Sequence, residues 1–400
     1  MTQMGYRVLE ERPVPPAPQD DAETVRTAVN ALVTLWDPGA RLSAPMWRRT
    51  ERLGRRVLAQ LERALPEAER APALDRLREA PLDRGAQHRL SHLVEQALAA
   101  PETDTDGLRA AAAEFRGRSR IVLDTGARHD SSPEAPGPDG SSGGSWEVTV
   151  VLDFRDVSSA DRLRNTVASV LALRDQSLGR ERYRIVVVEQ DGTPRHAALL
   201  HGLVDRYVHA GNDGDYNRSW AHNVGAVATS GAERWLCFLD ADVLVDTGFL
   251  ERQLDRLRQT GAAALLPHAS LHYLDARSSA RAIRQRLSRP GGAVDAESLH
   301  GYQLVTNRGG CIFVDSDLFH RIHGFDERYE GWGDEDNEFY EHLSAHTGIT
   351  HTAEVLLHLD HPRPEMERDG HRANEWLLGL SEGRPTHIGN RGRYLREGEH

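Results

Sequence analysis

The chain of 400 residues contains no lysine, so all 49 of its basic side chains are arginines. This absence excludes a Walker-type phosphate loop, a Schiff-base lysine and a kinase lysine, each of which depends on a lysine amine. Arginine alone is typical of a GC-rich, bacterial genome. With 61 acidic residues the formal net charge is -12, which argues against a protein that coats nucleic acid, because phosphate binding depends on cationic side chains.

Cysteine is scarce as well, and long apolar runs are missing. Cys237 and Cys311 both lie in apolar stretches without a CxxC partner, so a zinc ribbon or a disulfide framework is excluded and two buried free thiols are predicted. No run approaches the ~18 apolar residues needed to span a bilayer. The first residues, MTQMGYRVLEERPVPP, lack the apolar centre of a signal peptide. We therefore expect a soluble, cytoplasmic protein without a transmembrane segment.

Three stretches of different composition follow one another. In residues 1–123 apolar side chains recur at spacings of three and four, which predicts a small all-helical domain and a candidate surface for self-association. Residues 124–146 are rich in Gly, Pro, Ser and Asp and predict a flexible linker that proteases would cut first. Residues 147–400 alternate strand-like and helix-like runs, which predicts an α/β domain with a doubly wound sheet.

The elements predicted in this last stretch indicate where a ligand would bind. Leu199–Val208 is predicted to be helix or loop. Ligands of doubly wound sheets bind beyond the carboxyl ends of the strands, so acidic residues at those ends are the ones to consider. The predicted strands are Val148–Phe154, Tyr183–Val188, Trp235–Leu239 and Ala262–Leu266, and the predicted helices are Arg162–Leu173, Trp220–Thr229, Phe249–Gln259 and Glu335–Leu343.

Asp-x-Asp pairs occur five times, but only Asp240 and Asp242 directly follow an apolar strand, in WLCFLDADVL. At a strand end both carboxylates emerge at the mouth of the sheet. There they suit a hard divalent cation that also takes diphosphate oxygens. The other interpretation of this pair is a polar transition from strand to turn.

A second acidic segment contains Gly309-Gly310 before an apolar run, and then Gly331-Trp332-Gly333 followed by Asp334–Asp336. Paired glycines let the backbone approach a ligand closely. Acidic residues are common in the first turn of a helix, where capping and the helix dipole favour them. This preference of helix starts for acidic residues does not explain why a large indole lies between two glycines. An aromatic platform beside a carboxylate can hold a sugar ring and accept its hydroxyl proton.

Together these segments resemble β-1,4-galactosyltransferases, chondroitin-type polymerases and polypeptide N-acetylgalactosaminyltransferases, all GT-A-fold enzymes that use nucleotide sugars. The resemblance covers about residues 147–365, with the motifs in the family's order. It implies a GT-A domain, with a Rossmann-like, doubly wound mixed sheet, preceded by the small all-helical domain. The matching segments are Asp153-Phe-Arg155, Val187-Val-Glu-Gln190, Tyr216-Asn-Arg218, Asn223-Val-Gly225, Gly309-Gly310, Gly324-Phe325 and Gly331-Trp-Gly-Asp-Glu-Asp336.

The resemblance implies a role for each matching residue. Asp336 would be the general base that deprotonates the attacking hydroxyl, with Glu335 next in line. Trp332 and Glu335 would hold the acceptor. The uracil, ribose and diphosphate of the donor would be bound by Phe154, Arg155, Tyr216 and Arg218, with Glu189 and Gly310 as further donor-site residues.

The resemblance also implies a metal site. Asp242 would ligate the metal, and Asp240 would contact the ribose or the metal. The family adds a downstream histidine, for which His358 and His361 are both available. If Glu354–Asp360 is extended, His358 shares a face with Asp360 and His361 points the other way, which favours His358 and keeps His361 as the alternative. Imidazole, carboxylate and diphosphate oxygens suit Mn²⁺, with Mg²⁺ as the second choice.

The implied activity is transfer of a hexosyl or N-acetylhexosaminyl group from a UDP-sugar to a hydroxyl of a saccharide, natural product or peptide. Glu335-Asp336 indicates inversion, since retaining relatives carry Glu-Asn there, but Asn337 one place later leaves the retaining alternative open. A metal-dependent nucleotidyltransferase would need no Gly-Trp-Gly before an acid. A non-catalytic sugar-nucleotide binding module would have no reason to keep both a metal site and a base.

Overall fold

The computed structural model describes residues 20–119, 146–156, 161–229, 233–363, 366–368, 371–372, 374–377, 379–380 and 382–394. These residues form two compact units. The first unit takes 20–119 together with His272–Ser278 and Ala296–Val305, and the second takes the rest. Two segments of the predicted 147–400 domain therefore group with the helices. The predicted linker lies outside the described residues apart from Trp146, and its boundaries stay a prediction.

The first unit is built around one largely buried helix, α1 (Asp21–Trp36). The carboxylate of Asp20 caps it by accepting from the Glu23 amide at 2.7 Å, and Asp37 starts the next helix in the same way. Helices α3, α4, α5 and α6 pack on α1. Their bounds are α2 (Pro38–Arg41), α3 (Ala44–Ala64), α4 (Glu67–Glu79), α5 (Arg84–Ala99) and α6 (Asp106–Ser119).

The second unit contains a seven-stranded mixed sheet with the order β10-β6-β9-β4-β1-β2-β3. Strand β9 is antiparallel to both of its neighbours, and the other pairings are parallel. This confirms the predicted fold class. The strands are β1 (Trp146–Phe154), β2 (Tyr183–Asp191), β3 (Arg206–Gly211), β4 (Glu233–Leu239), β5 (Val243–Leu244), β6 (Ala264–Leu266), β7 (Ser270–Leu274), β8 (Gly301–Val305), β9 (Cys311–Asp315), β10 (Ile349–His351), β11 (Val355–His358), β12 (Glu367–Arg368) and β13 (His371–Arg372).

The strand directions bring several chain ends to one edge of the sheet. Strands β1, β2, β4 and β6 run in the same direction, so their carboxyl ends share that edge. Strand β9 runs the other way, which places its amino end there too. The remaining helices are α7 (Asp161–Arg174), α8 (Ala197–Leu200), α9 (Arg218–Val227), α10 (Phe249–Thr260), α11 (Ala276–Leu287), α12 (Ser316–Arg321) and α13 (Glu335–Ser344).

One predicted element was wrong. Residues 206–208, predicted to be helix or loop, belong to β3, the edge strand of the sheet. Only Val208 and Ala210 are buried in this strand, while Arg206 is exposed. The apolar run that marks a central strand is therefore missing there.

The two thiols are free and buried, as predicted. Cys237 and Cys311 lie on the neighbouring strands β4 and β9, with 3.7 Å between their sulfur atoms. None of the helices in the described part of the chain is long and apolar enough to cross a membrane.

Candidate active site

Asp240 and Asp242 lie where the sequence predicts them, directly after β4 at the carboxyl edge of the sheet. The Asp240 amide donates to the Gly310 carbonyl at 2.9 Å, which ties the turn to the start of β9. The Asp242 carbonyl accepts from the Leu359 amide at 2.8 Å, which ties it to the residue after β11. Backbone hydrogen bonds on both sides therefore hold the two carboxylates in place.

Two imidazoles face the carboxylate of Asp242. Nε2 of His358 lies 3.2 Å from its Oδ1, and Nε2 of His361 lies 2.9 Å from its Oδ2. One potential ligand atom from each of the three residues lies within 4.8 Å of the others. The expectation that His361 points away was wrong, because β11 ends at His358 instead of continuing to Asp360.

The chain turn after His358 brings His361 to Asp242. The Asp360 amide donates to Oγ of Ser279 at 2.7 Å. Its carbonyl accepts from Nδ2 of Asn165, on α7, at 3.1 Å. These contacts come from residues far away in the chain, so no local pattern could have revealed the turn.

The electrostatics of this cluster favour a neutral imidazole beside an ionised carboxylate. Burial lowers the pKa of His358 to about 3, although Asp242 acts in the opposite direction. Burial alone would raise the pKa of Asp242, but the two histidines outweigh it and hold that pKa well below its usual range. Oδ1 of Asp242 is shielded from solvent and has no hydrogen bond of normal geometry among the described residues. Two nitrogen donors and a carboxylate oxygen in this state fit a divalent transition-metal ion.

A second cluster is centred on Arg218, the first residue of α9. Its guanidinium pairs with the carboxylates of Asp240 and Asp336, and it lies 3.5 Å from Oε1 of Glu335. The side chain of Asn217 caps the helix by accepting from the Trp220 amide at 2.8 Å. The acidic residues after β4 and those that begin α13, about 95 positions apart, thus meet on one cation.

Burial shifts the protonation of two acids in the Arg218 cluster. It raises the pKa of Glu335 to about 8, with the neighbouring charge of Asp336 acting in the same direction. It also raises the pKa of Asp240 to about 7, in spite of the attraction of Arg218. Glu335 is therefore mainly protonated at neutral pH and able to donate a hydrogen bond.

The Gly-Trp-Gly turn before α13 needs its glycines. Gly331 and Gly333 have φ values of 80° and 103°, a region that L side chains avoid. The Gly331 amide donates to the Tyr216 carbonyl at 2.7 Å, so the turn is tied to the loop before α9. Trp332 is partly exposed on this turn. Asp334, at φ 72°, completes the bend into the helix.

Gly309 makes room for the carboxylate of Asp336. A Cβ atom at Gly309 would lie 2.2 Å from Oδ2 of Asp336, so a side chain there would force this carboxylate to shift. His268, which follows β6, is a residue that the sequence analysis missed. It is buried against the backbone near Gly309, and burial lowers its pKa to about 4. Its only sequence signal is its position shortly after a strand at the active edge.

The predicted donor-binding residues differ in their surroundings. The guanidinium of Arg155 donates to the carbonyls of Gln190, Gly214 and Asn212 at 2.6–3.0 Å, so it shapes the loop before α9. Its cation stacks over the ring of Tyr216, with 5.5 Å to the centroid.

Beneath the donor-side loop lies a buried group of three side chains, of which the sequence analysis gave only Tyr216 a role. The hydroxyl of Tyr216 donates to Asp153. The other oxygen of Asp153 lies 2.6 Å from Nε2 of His222. His222 is one helical turn after Arg218, a spacing that places both on one face of α9. The Tyr216–Asp153–His222 group therefore supports the helix that carries Arg218.

Phe154 and Glu189 are buried, with 2% and 0% of their surface exposed. The carboxylate of Glu189 accepts from the amides of Arg195 and His196 at 3.1 and 3.2 Å and from the hydroxyl of Tyr207 at 2.5 Å. It anchors the loop after β2. Direct contact of these two residues with a nucleotide stays a prediction that this arrangement does not favour.

Residues 149–323 match the family described as glycosyl transferase family 2, and residues 296–362 match the family described as N-terminal domain of galactosyltransferase. The two matches together span residues 149–362, the part of the chain that carries the resemblance seen in the sequence. The resemblance to glycosyltransferases is thereby confirmed for these residues, and both matches support the predicted enzyme class.

Individual relatives match only part of this chain. Succinoglycan biosynthesis protein ExoM of Rhizobium meliloti (strain 1021) is 34% identical over 129 residues, which cover 31% of this chain and 38% of that protein. The catalytic domain of Drosophila β1,4-galactosyltransferase 7, in complex with xylobiose, is 17% identical, with a TM-score of 0.36. The matched region covers 56% of this chain and 76% of that chain. Staphylococcus aureus TarS 1–349, in complex with UDP-GlcNAc, is 12% identical with a TM-score of 0.39 and coverages of 55% and 60%.

Proposed function

We propose that the protein is a metal-dependent glycosyltransferase that moves a sugar from a UDP-sugar to an acceptor hydroxyl with inversion at the anomeric carbon. The observation that carries this proposal is the bridge from Asp240 through Arg218 to Asp336. Asp240 follows a strand and lies two positions before Asp242, the carboxylate that faces the two histidines. Asp336 follows the glycine turn that carries the indole. Family membership supports the same reaction class.

Asp242, His358 and His361 are the residues that would hold the metal. Two imidazoles beside one carboxylate suit Mn²⁺ better than Mg²⁺, which prefers oxygen ligands. When bound, the cation would neutralise charge on the departing diphosphate. Burial keeps His358 neutral, so it does not need to lose a proton before it ligates a metal at neutral pH.

Arg218 would serve the donor as well as the acids. A diphosphate is a stronger bidentate partner for a guanidinium than a single carboxylate oxygen. The diphosphate of the incoming donor would therefore replace Asp336 as a hydrogen-bond partner of the Arg218 guanidinium. The carboxylate of Asp336 would then be available as a base. The Tyr216–Asp153–His222 group keeps α9, and with it Arg218, in position.

The chemical step then needs a base beside the attacking hydroxyl. Asp336 takes the proton of this hydroxyl while the hydroxyl oxygen bonds to the anomeric carbon. The bond between that carbon and the diphosphate oxygen breaks, and its electron pair leaves with UDP. Attack from the face opposite the leaving group inverts the configuration. Glu335, protonated at neutral pH, donates a hydrogen bond to the acceptor, and Trp332 supports its ring.

The test is a panel of UDP-sugars with Mn²⁺, with UDP release and product mass as readouts. Asp336→Asn should lower kcat by about 10²–10⁴-fold while UDP affinity and thermal stability stay near those of the wild type. Asp334→Asn is the matched control, because asparagine tolerates the left-handed backbone of Asp334 and the side chain is not paired with Arg218. Full turnover by Asp336→Asn would contradict the assignment of Asp336 as the base. A product with retained anomeric configuration would contradict inversion.

A further inference from the structure

The first unit contains a cleft to which neither the sequence nor the proposed function assigns a role. It lies between α1, α3, the last residues of α6 and β8, and encloses about 350 Å³ counted out to its open mouth. The space inside it has room for a group about the size of one water molecule. The residues used below are Thr34, Trp47, Thr50, Arg118, Ser119 and Tyr302, all of which line it.

Three polar groups of this cleft are buried without a hydrogen-bond partner among the described residues. They are the hydroxyls of Thr34 and Ser119 and the indole N–H of Trp47. Thr50 lines the same cleft, but its hydroxyl donates to the Met46 carbonyl at 3.1 Å. Buried polar groups normally have partners. Three unpaired groups in one cleft therefore indicate a partner that is not part of the described chain.

The chemistry of the lining restricts that partner. A hydroxyl both donates and accepts, whereas the indole N–H requires an acceptor oxygen. Tyr302 stacks on Tyr273 at 5.3 Å with nearly parallel rings, and Trp47 lies below Arg41, 5.5 Å from its ring centroid. Tyr302 is buried, whereas Trp47 is half-buried, so the uncovered part of the Trp47 ring can contact the apolar C–H face of a sugar ring. A phosphate or nucleotide fits less well, because Arg118 is the one charged residue among the described lining residues.

We propose that this cleft binds one sugar residue of a saccharide, separately from the transfer reaction. One ligand hydroxyl would enter the cleft and pair with Thr34, Ser119 and the indole N–H of Trp47. The ring would stay at the mouth, against the uncovered part of the Trp47 ring. Room for a single small group explains why one hydroxyl, and not the whole ring, enters.

The walls of the cleft are held in place without a ligand. Nδ2 of Asn30, on α1, donates to the Gly301 carbonyl at 3.1 Å. Oγ of Ser43, which precedes α3, accepts from the Val305 amide at 3.1 Å. Both ends of β8 are thereby tied to the helices. A binding site whose walls are already ordered loses little conformational entropy on binding.

The experiment measures binding and does not need enzyme activity. Methyl glycosides of glucose, galactose, xylose, N-acetylglucosamine, N-acetylgalactosamine and glucuronic acid are offered at millimolar concentration, and binding to the full chain is followed by saturation-transfer NMR. We expect at least one glycoside to bind. Thr34→Val keeps the shape of the cleft and removes one hydroxyl, and Trp47→Phe keeps an aromatic ring and removes the indole N–H. Each should weaken that binding by about threefold to tenfold.

Matched controls exist on the same helix. Thr27 also has a buried hydroxyl without a partner among the described residues, but it does not line the cleft. Thr27→Val should leave glycoside binding unchanged, and Trp36→Phe is the corresponding control for Trp47→Phe. The proposal is overturned if no glycoside binds, which would leave the cleft to ordered water. It is equally overturned if binding persists unchanged in both cleft variants, because the sugar would then lie elsewhere.

Discussion

Replacement of Arg218 by alanine is the most informative single change, because three carboxylates meet on its guanidinium. Its side chain is only 15% exposed, and its partners Asp240, Glu335 and Asp336 are 22%, 15% and 30% exposed. The variant would leave these acids without a counter-ion in a poorly solvated site. Removal of one partner from a buried ion pair typically costs about 3–5 kcal/mol. Because the acids keep some contact with water, we expect about 2–4 kcal/mol.

The cost should depend on pH in a defined direction. In the wild type, burial already raises the pKa of Glu335 to about 8 and that of Asp240 to about 7, while Arg218 acts to lower both. A folded-state pKa above the unfolded value means that folding takes up protons, so stability falls as the pH rises towards the folded pKa. Without Arg218 both pKa values rise further. The variant should therefore be closest to the wild type at pH 6 and furthest from it at pH 9.

Calorimetric unfolding at pH 6, 7.5 and 9 measures this prediction. A loss of 2–4 kcal/mol corresponds to a drop in Tm of roughly 4–16 °C for a unit of this size. Arg308→Ala is the control, because its partner Glu341 is 66% exposed and an exposed pair contributes about 1 kcal/mol or less. If Arg218→Ala unfolds like the wild type, or if its loss of stability is the same at every pH, the Arg218 bridge does not hold these acids.

Three further predictions follow from the site. Asp242→Asn should abolish Mn²⁺-dependent UDP binding in a calorimetric titration, whereas Asp104→Asn, in an Asp-x-Asp pair that follows no strand, should not; equal losses would contradict the role of strand position. Gly309→Ala would place a Cβ atom 2.2 Å from Oδ2 of Asp336, so kcat should fall by roughly 10²-fold with UDP affinity retained, and an unchanged kcat would show that this carboxylate is not the base. Wild-type stability should fall between about pH 5 and pH 8 because folding raises the pKa of Glu335 to about 8; Glu335→Gln should flatten this dependence in thermal unfolding, and an equally steep curve would assign it to another group.

The fold class was predictable because central strands are continuous apolar runs. Strands β1, β2 and β4 are buried along nearly their whole length, so they stand out against the amphipathic helices between them. Strand β3 is the exposed edge strand and lacks such a run, so it was not predicted. The strand β8 was missed for a different reason, because it belongs to the helical unit although it lies within the predicted α/β range.

The site was predictable where one local pattern carries it. Asp240 and Asp242 end an apolar run, and Glu335 and Asp336 begin a helix after a glycine turn, so both acidic groups could be found. Their meeting on Arg218 could not, because it depends on the approach of α9, β4 and α13 in three dimensions. The position of His361 depends equally on a turn held by residues from other parts of the chain.

The division of the first unit between distant parts of the chain has a consequence for synthesis on the ribosome. Its helices end at Ser119, but β8 is complete only at Val305, about 190 residues later. Chain synthesis proceeds at roughly 5–20 residues per second, so β8 is complete about 10–40 s after the last helix of this unit. During that time the carbonyl of Gly301 and the amide of Val305 are not yet available to Asn30 and Ser43. Synthesis of the first unit begins before that of the second, but it is complete only after most strands of the second unit's sheet have been synthesised.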